Sequence, residues 1–132
     1  MAYITIGDLL DRAQQFEERL KTYYASIRDQ SRDNGVRLLT YYLSRHRNHL
    51  QQAMKDYSSQ KIHAIRAVRL KYDINFTPEE EFTLIKTPPQ EVRAKELLEA
   101  AAEYDSNLIT FYKTIHQQPL IDEVRALFES LI

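Results

Sequence analysis

No cysteine occurs anywhere in this chain of 132 residues, which excludes disulfides, thiolate zinc sites, iron–sulfur ligation and cysteine nucleophiles. Glycine occurs twice and proline four times, too few turn formers for a chain built from many short strands. Charge of one sign is not in excess: the net charge is −1, so no overall field recruits nucleic acid or an acidic membrane. Long apolar runs are missing as well, and nothing approaches the roughly 20 apolar residues that span a bilayer. The opening MAYITIGDLL lacks the basic start and apolar run of a signal peptide. The expectation is a single helical domain over 1–132, cytoplasmic, without nucleic-acid or membrane partners.

What the chain does have is an echo of itself. Residues 8–27, DLLDRAQQFEERLKTYYASI, return 88 positions later as 96–115, ELLEAAAEYDSNLITFYKTI. Leu9, Leu10, Ala13, Leu20, Thr22, Tyr24 and Ile27 meet their own residue types, and Phe16, Glu17 and Tyr23 meet Tyr104, Asp105 and Phe111. Beyond the turn, Val36-Arg37-Leu38-Leu39 faces Val124-Arg125-Ala126-Leu127. Such a repeat predicts two related helix pairs building one bundle.

The pattern predicts a first helix from Thr5, with Asp8 completing a capping box, and an apolar stripe through Leu9, Ala13, Phe16, Leu20, Tyr24 and Ile27. Asn34-Gly35 breaks it. A second helix runs to about Tyr57 through Leu39, Tyr42, Leu43, His46, Leu50 and Ala53, so that repeat one covers about 5–57. A crossover fills 58–88, helical at first through Ile62, Ile65, Val68 and Tyr72, then irregular. Repeat two covers about 89–132: a third helix from a Thr87 cap to about His116, and a short fourth opened by Pro119. The expected fold is therefore all-α, an antiparallel four-helix bundle of two helix-hairpin repeats with a long crossover.

Glu17 follows Ala13 by four and precedes Leu20 by three, which puts a carboxylate on the apolar side. Asp105 repeats that geometry between Ala101 and Leu108. On the second helix His46 and His49 fall among Tyr42, Leu43, Leu50 and Ala53. A buried carboxylate costs several kcal/mol unless a cation or donors meet it. A divalent metal would serve, since carboxylate with neutral imidazole suits iron, manganese or zinc. A protein-only network serves equally, with protonated His46 or His49 and the hydroxyls of Tyr24 and Tyr112 meeting the acids.

The stripe FEERLKTYYASI, the following SRDNGVRLLTYYLSRHRNHLQQ and the second copy resemble the diiron domain of rubrerythrins in the ferritin-like superfamily. The resemblance implies a ferritin-like bundle in which the first and third helices each give a Glu, and the second and fourth each give Glu-x-x-His. Glu17 matches the first Glu, Asp105 or nearby Glu103 the third-helix Glu, His49 the motif histidine, and His46 occupies its Glu position. Tyr24 and Tyr112 would stand behind these ligands. The implied cofactor is iron, as a diiron or a degenerate mononuclear site, with iron or peroxide redox chemistry and an external electron donor. Second copies of His46 and His49 would fall two and five positions beyond Ile132, so the expectation is either a longer protein that supplies them or a metal site that has lost one side.

The competing expectation is a non-catalytic helical interaction or dimerisation module with a degenerate metal site. A short fourth helix leaves apolar surface uncovered, and self-association into a homo-oligomer is the usual remedy. Lys61, Arg66, Arg69 and Lys71 read as a solvated face, and His63 and His116 as surface or capping residues.

Overall fold

The computed structural model describes residues 4–46, 49–71 and 73–132, without the side chains of positions 46, 49 and 79. Those residues are mostly helical: α1 (Ile6–Gln30), α2 (Asn34–His46), α3 (His49–Met54), α4 (Ser59–Arg66), α5 (Pro78–Glu81), α6 (Ala94–His116) and α7 (Asp122–Leu131), with a 3-10 turn at Pro89–Glu91. The one sheet among them pairs β1 (Ile4–Thr5) antiparallel to β2 (Arg69–Leu70), Ile4 opposite Leu70.

The start of α1 follows from its first residues. Thr5 is extended and its hydroxyl accepts from the Asp8 amide, while the Asp8 carboxylate accepts from the Thr5 amide. Reciprocal capping satisfies two of the donors that open a helix. A further first-turn donor, the Ile6 amide, reaches the Val68 carbonyl at 2.8 Å. This explains why the crossover helix stops at Arg66 rather than running through Val68. Thr5→Ala is expected to cost about 1 kcal/mol, measured as a shift of the urea midpoint at constant m.

The helices then pair. α1 packs on α2 and α6 on α7; α2 also meets α6, and α3 meets α7. Element starts keep the spacing of the echo: α1 begins at 6 and α6 at 94, α2 at 34 and α7 at 122. Burial keeps it too. Leu9, Ala13, Phe16, Leu20, Tyr24 and Ile27 lie in the core with Leu97, Ala101, Tyr104, Leu108, Tyr112 and Ile115. Val36 and Leu43 are matched by Val124 and Leu131. Leu10 and Leu98 break the correspondence, at 2% and 51% exposure. α4 packs on α1, and the Arg66 guanidinium nitrogen Nη2 holds Asp11, the residue after Leu10, at 2.9 Å. Gly7 permits the approach, since a Cβ there would stand 3.0 Å from the Arg66 carbonyl oxygen.

Between the pairs, the segment from Asp73 to Ile85 straps α1 to α6. Arg12 Nη1 donates to the Asp73 carboxylate and the Ile74 carbonyl, both at 3.0 Å. Tyr104 donates its hydroxyl to the Thr83 carbonyl at 2.6 Å, and the Ile85 amide donates to Tyr23 Oη at 3.0 Å. Phe76 stacks on Phe111 at 4.1 Å and Phe82 on Tyr104 at 4.9 Å. Phe16 meets Phe76, Phe82 and Tyr104 edge-on.

Several expected boundaries move. The third long helix opens at Ala94, not at Thr87, because the proline pair holds Pro88 extended and supports only the 3-10 turn. Thr87 instead donates its hydroxyl to Glu96 Oε2 at 2.6 Å, and Glu96 accepts from the Arg93 amide. The last helix begins at Asp122 rather than Pro119. The second helix of repeat one is seen as α2 and α3, ending at Met54 rather than Tyr57. Tyr42, expected on the apolar stripe, is 62% exposed.

Candidate functional site

Phe16 and Tyr104 bring α1 and α6 together with ring centroids 6.5 Å apart. Glu17 and Asp105 are their next residues, turned about 100° around each helix. Both side chains are part-buried. Glu17 Oε1, Asp105 Oδ1, Tyr24 Oη and Tyr112 Oη are all shielded from solvent. The two carboxylates therefore lie on the inner side of their helices, and each tyrosine follows its acid by seven residues, two helical turns along. Glu103 is exposed, so of the two candidates on α6 only Asp105 turns inward. The side chains of His46 and His49 lie outside the described residues.

Beside Glu17 opens a cavity of about 170 Å³ between α1 and the α2–α3 region, lined also by Gln14, Lys21, Ser44, Leu50 and Met54. Ser44 Oγ is solvent-shielded there, a residue that the apolar pattern did not single out. The sequence carried no signal for it; its place follows from the structure, where Val36 and Thr40, eight and four residues earlier on the same face, are fully buried. Gln14, Glu18 and Lys21 are exposed, which leaves the mouth polar. Asp105 is not among the residues lining this cavity.

Two carboxylates suit a hard divalent cation, and an imidazole would complete a set fit for iron. Among the described residues no three His, Cys, Asp or Glu side chains gather closely enough to hold a metal ion. A metal site at Glu17 and Asp105 accordingly needs an imidazole from positions 46 or 49. The remaining histidines have other employment: His63 is exposed on α4, and His116 Nε2 lies 3.2 Å from Glu129 Oε1, tying α6 to α7. In the basic run, Arg66 is engaged by Asp11 and Lys61 Nζ sits 4.2 Å from the centre of the Tyr57 ring.

Three capping or paired acids and one buried phenol make stability depend on pH. The Arg12 hydrogen bond, helped by the Ile74 amide, holds Asp73 below the usual carboxylate range. Thr87 and the Arg93 amide do the same for Glu96, and the Thr5 cap for Asp8. Burial pushes the Tyr104 phenol up. Depressed carboxylates stabilise the fold above their unfolded pKa and lose that contribution as pH falls through the folded value. A raised phenol works in the other direction: stability falls as pH climbs past its unfolded value near 10. Denaturant midpoints should thus fall below about pH 4 and above about pH 10. Asp73→Asn should flatten the acid limb and Tyr104→Phe the alkaline one.

No helix among the described residues is long and apolar enough to cross a membrane. Compared with family models, with curated proteins and with solved structures, the chain matches none.

Proposed function

We propose that this chain is a rubrerythrin-like metal-binding domain of ferritin-like architecture, two helix hairpins related by the 88-residue echo and joined by the crossover. Glu17, Asp105, His49 and His46 are its proposed ligands, with Tyr24 and Tyr112 behind them, and iron is the proposed metal. One observation carries the reading. Two acids and two phenols, each pair separated by the same 88 positions, place solvent-shielded oxygens inside the helical core. Carboxylates carried inward twice need a cation or donors to meet them, and a metal held by both copies would supply the cation.

Bound iron would supply redox chemistry, either oxidation of the ferrous ion or reduction of peroxide. In this reading the chain's own part is to present carboxylate oxygens, exclude water and hold the acids by the tyrosine hydroxyls. Electrons would come from an external donor, since the sequence has no cysteine for an iron–sulfur module. A second Glu–His pair after Ile132, at the spacing of the echo, would make the centre diiron.

Anaerobic loading with ferrous iron, followed by desalting and metal analysis, tests the proposal. About one equivalent is expected for a site of carboxylates and imidazole, and less than about a tenth would overturn it. Glu17→Ala with Asp105→Ala should bring the wild-type value down to that background.

A second reading, a non-catalytic helical interaction or dimerisation module, is favoured by the large apolar side chains that α2 exposes: Leu38 at 70%, Tyr41 at 53% and Tyr42 at 62%. Light scattering at micromolar concentration tests its homo-oligomeric form, which a monomer would exclude.

A further inference from the structure

We infer that the outer face of α2 is a docking surface for an acidic amphipathic helix of a partner protein. The inference rests on the interaction reading but on neither its dimeric form nor the metal. Leu38, Tyr41 and Tyr42 stand three and four residues apart, so they form one continuous stripe on the helix. All three are more than half exposed, whereas single exposed apolar residues such as Leu98 are ordinary.

The fold itself supplies the control. At the echoed positions α7 carries Ala126, Glu129 and Ser130, all exposed. The same place in the second hairpin is thus filled by small or polar side chains, and the architecture does not require leucine and tyrosine there. Something other than folding accounts for them. Tyrosine at such a place is a favourable anchor, with large contact area and little rotamer entropy to lose.

The charges around the stripe choose the partner. α2 contains no Asp or Glu; Arg37 and Arg45 are exposed on it. Arg28 of α1 reaches over Tyr41, its guanidinium carbon 4.5 Å from the ring centre, while its Nε is 3.8 Å from Asp29. A second copy placed face to face would set Arg37 and Arg45 against their own kind, a repulsion that opposes an isologous contact. A helix with leucines at helical spacing and glutamates on the flanks fits both the stripe and its rim.

The test uses the full chain and a labelled synthetic helical peptide with leucine at a and d positions and glutamate at e and g. A peptide with lysine in place of every glutamate is the control. The glutamate peptide should bind at least about tenfold more tightly than the lysine one, as charge-selected helix pairing requires. Leu38→Ser with Tyr42→Ser should weaken it by about tenfold or more, the effect of losing central anchors, while Leu98→Ser leaves it unchanged. Both variants should melt with the wild type. Should the double variant fail to fold, Arg37→Glu with Arg45→Glu provides the second arm, and it should reverse the peptide preference. Equal binding of both peptides overturns the choice of partner. So does binding only to phosphatidylserine–phosphatidylcholine vesicles, or self-association lost on Leu38→Ser. No binding of any probe, by a chain that light scattering finds monomeric, removes the interaction reading altogether.

Discussion

Phe16→Ala is expected to remove about 3–5 kcal/mol of stability, the range for truncating a fully buried aromatic whose neighbours cannot collapse. Phe16 has no exposed surface. Its ring meets Phe76 at 5.6 Å, Phe82 at 6.2 Å and Tyr104 at 6.5 Å, all edge-on. It therefore joins three parts of the chain that are distant in sequence: α1, the strap and α6. Each edge-to-face pair adds about 0.5–1.5 kcal/mol beyond the area buried. Tyrosine hydroxyls of both helices hold the strap by its main chain, Tyr104 donating to the Thr83 carbonyl and Tyr23 accepting from the Ile85 amide, so it has little freedom to fall into the space. Guanidinium unfolding followed by circular dichroism measures the loss, with Leu98→Ala, at a half-exposed position, as a control expected within about 0.5 kcal/mol of wild type. A loss below about 1 kcal/mol would mean that the three parts do not share one core.

The same residues show where a sequence speaks clearly. Phe16 and Tyr104 were legible because they lie in stripes with unambiguous three-and-four spacing over long helices. The Thr5–Asp8 box was legible because its bonds are local. α2 was harder: Val36, Leu38, Leu39, Tyr41, Tyr42 and Leu43 are six apolar residues within eight, so periodicity cannot choose a face. The structure chooses the side of Val36, Thr40 and Leu43, and Tyr42 goes outward. Thr87 misled because it is a good local cap, yet a proline pair follows, and Glu96 draws the capping bonds to Arg93. The strand pair was invisible for a different reason. Two residues on each side carry no alternation, and the pairing is settled by the unsatisfied amides where α1 starts. In the candidate site, Glu17 and Asp105 stood out as acids inside an apolar pattern; Ser44, a small polar residue, gave no such contrast.

That contrast leads to the second large effect. Glu17→Met combined with Asp105→Leu is expected to abolish metal loading and, with it, the stabilisation that ferrous iron gives the wild type. A ligand bound only by the folded chain adds about 2.7 kcal/mol at a hundred times its Kd and about 4 kcal/mol at a thousand times. Each acid also makes an interaction inside the protein, so removing both strands those partners and costs the metal-free variant stability as well. Loss of stability without iron therefore follows whether the acids serve a metal or a protein-only network. The iron-dependent shift separates the two readings, because only a metal site makes it vanish with the acids. Anaerobic unfolding of chelator-treated protein, with and without added ferrous iron, reads that shift directly. No stabilisation of the wild type by iron, or an equal shift in the double variant, would assign the acids to the architecture of the helical core and end the metal proposal.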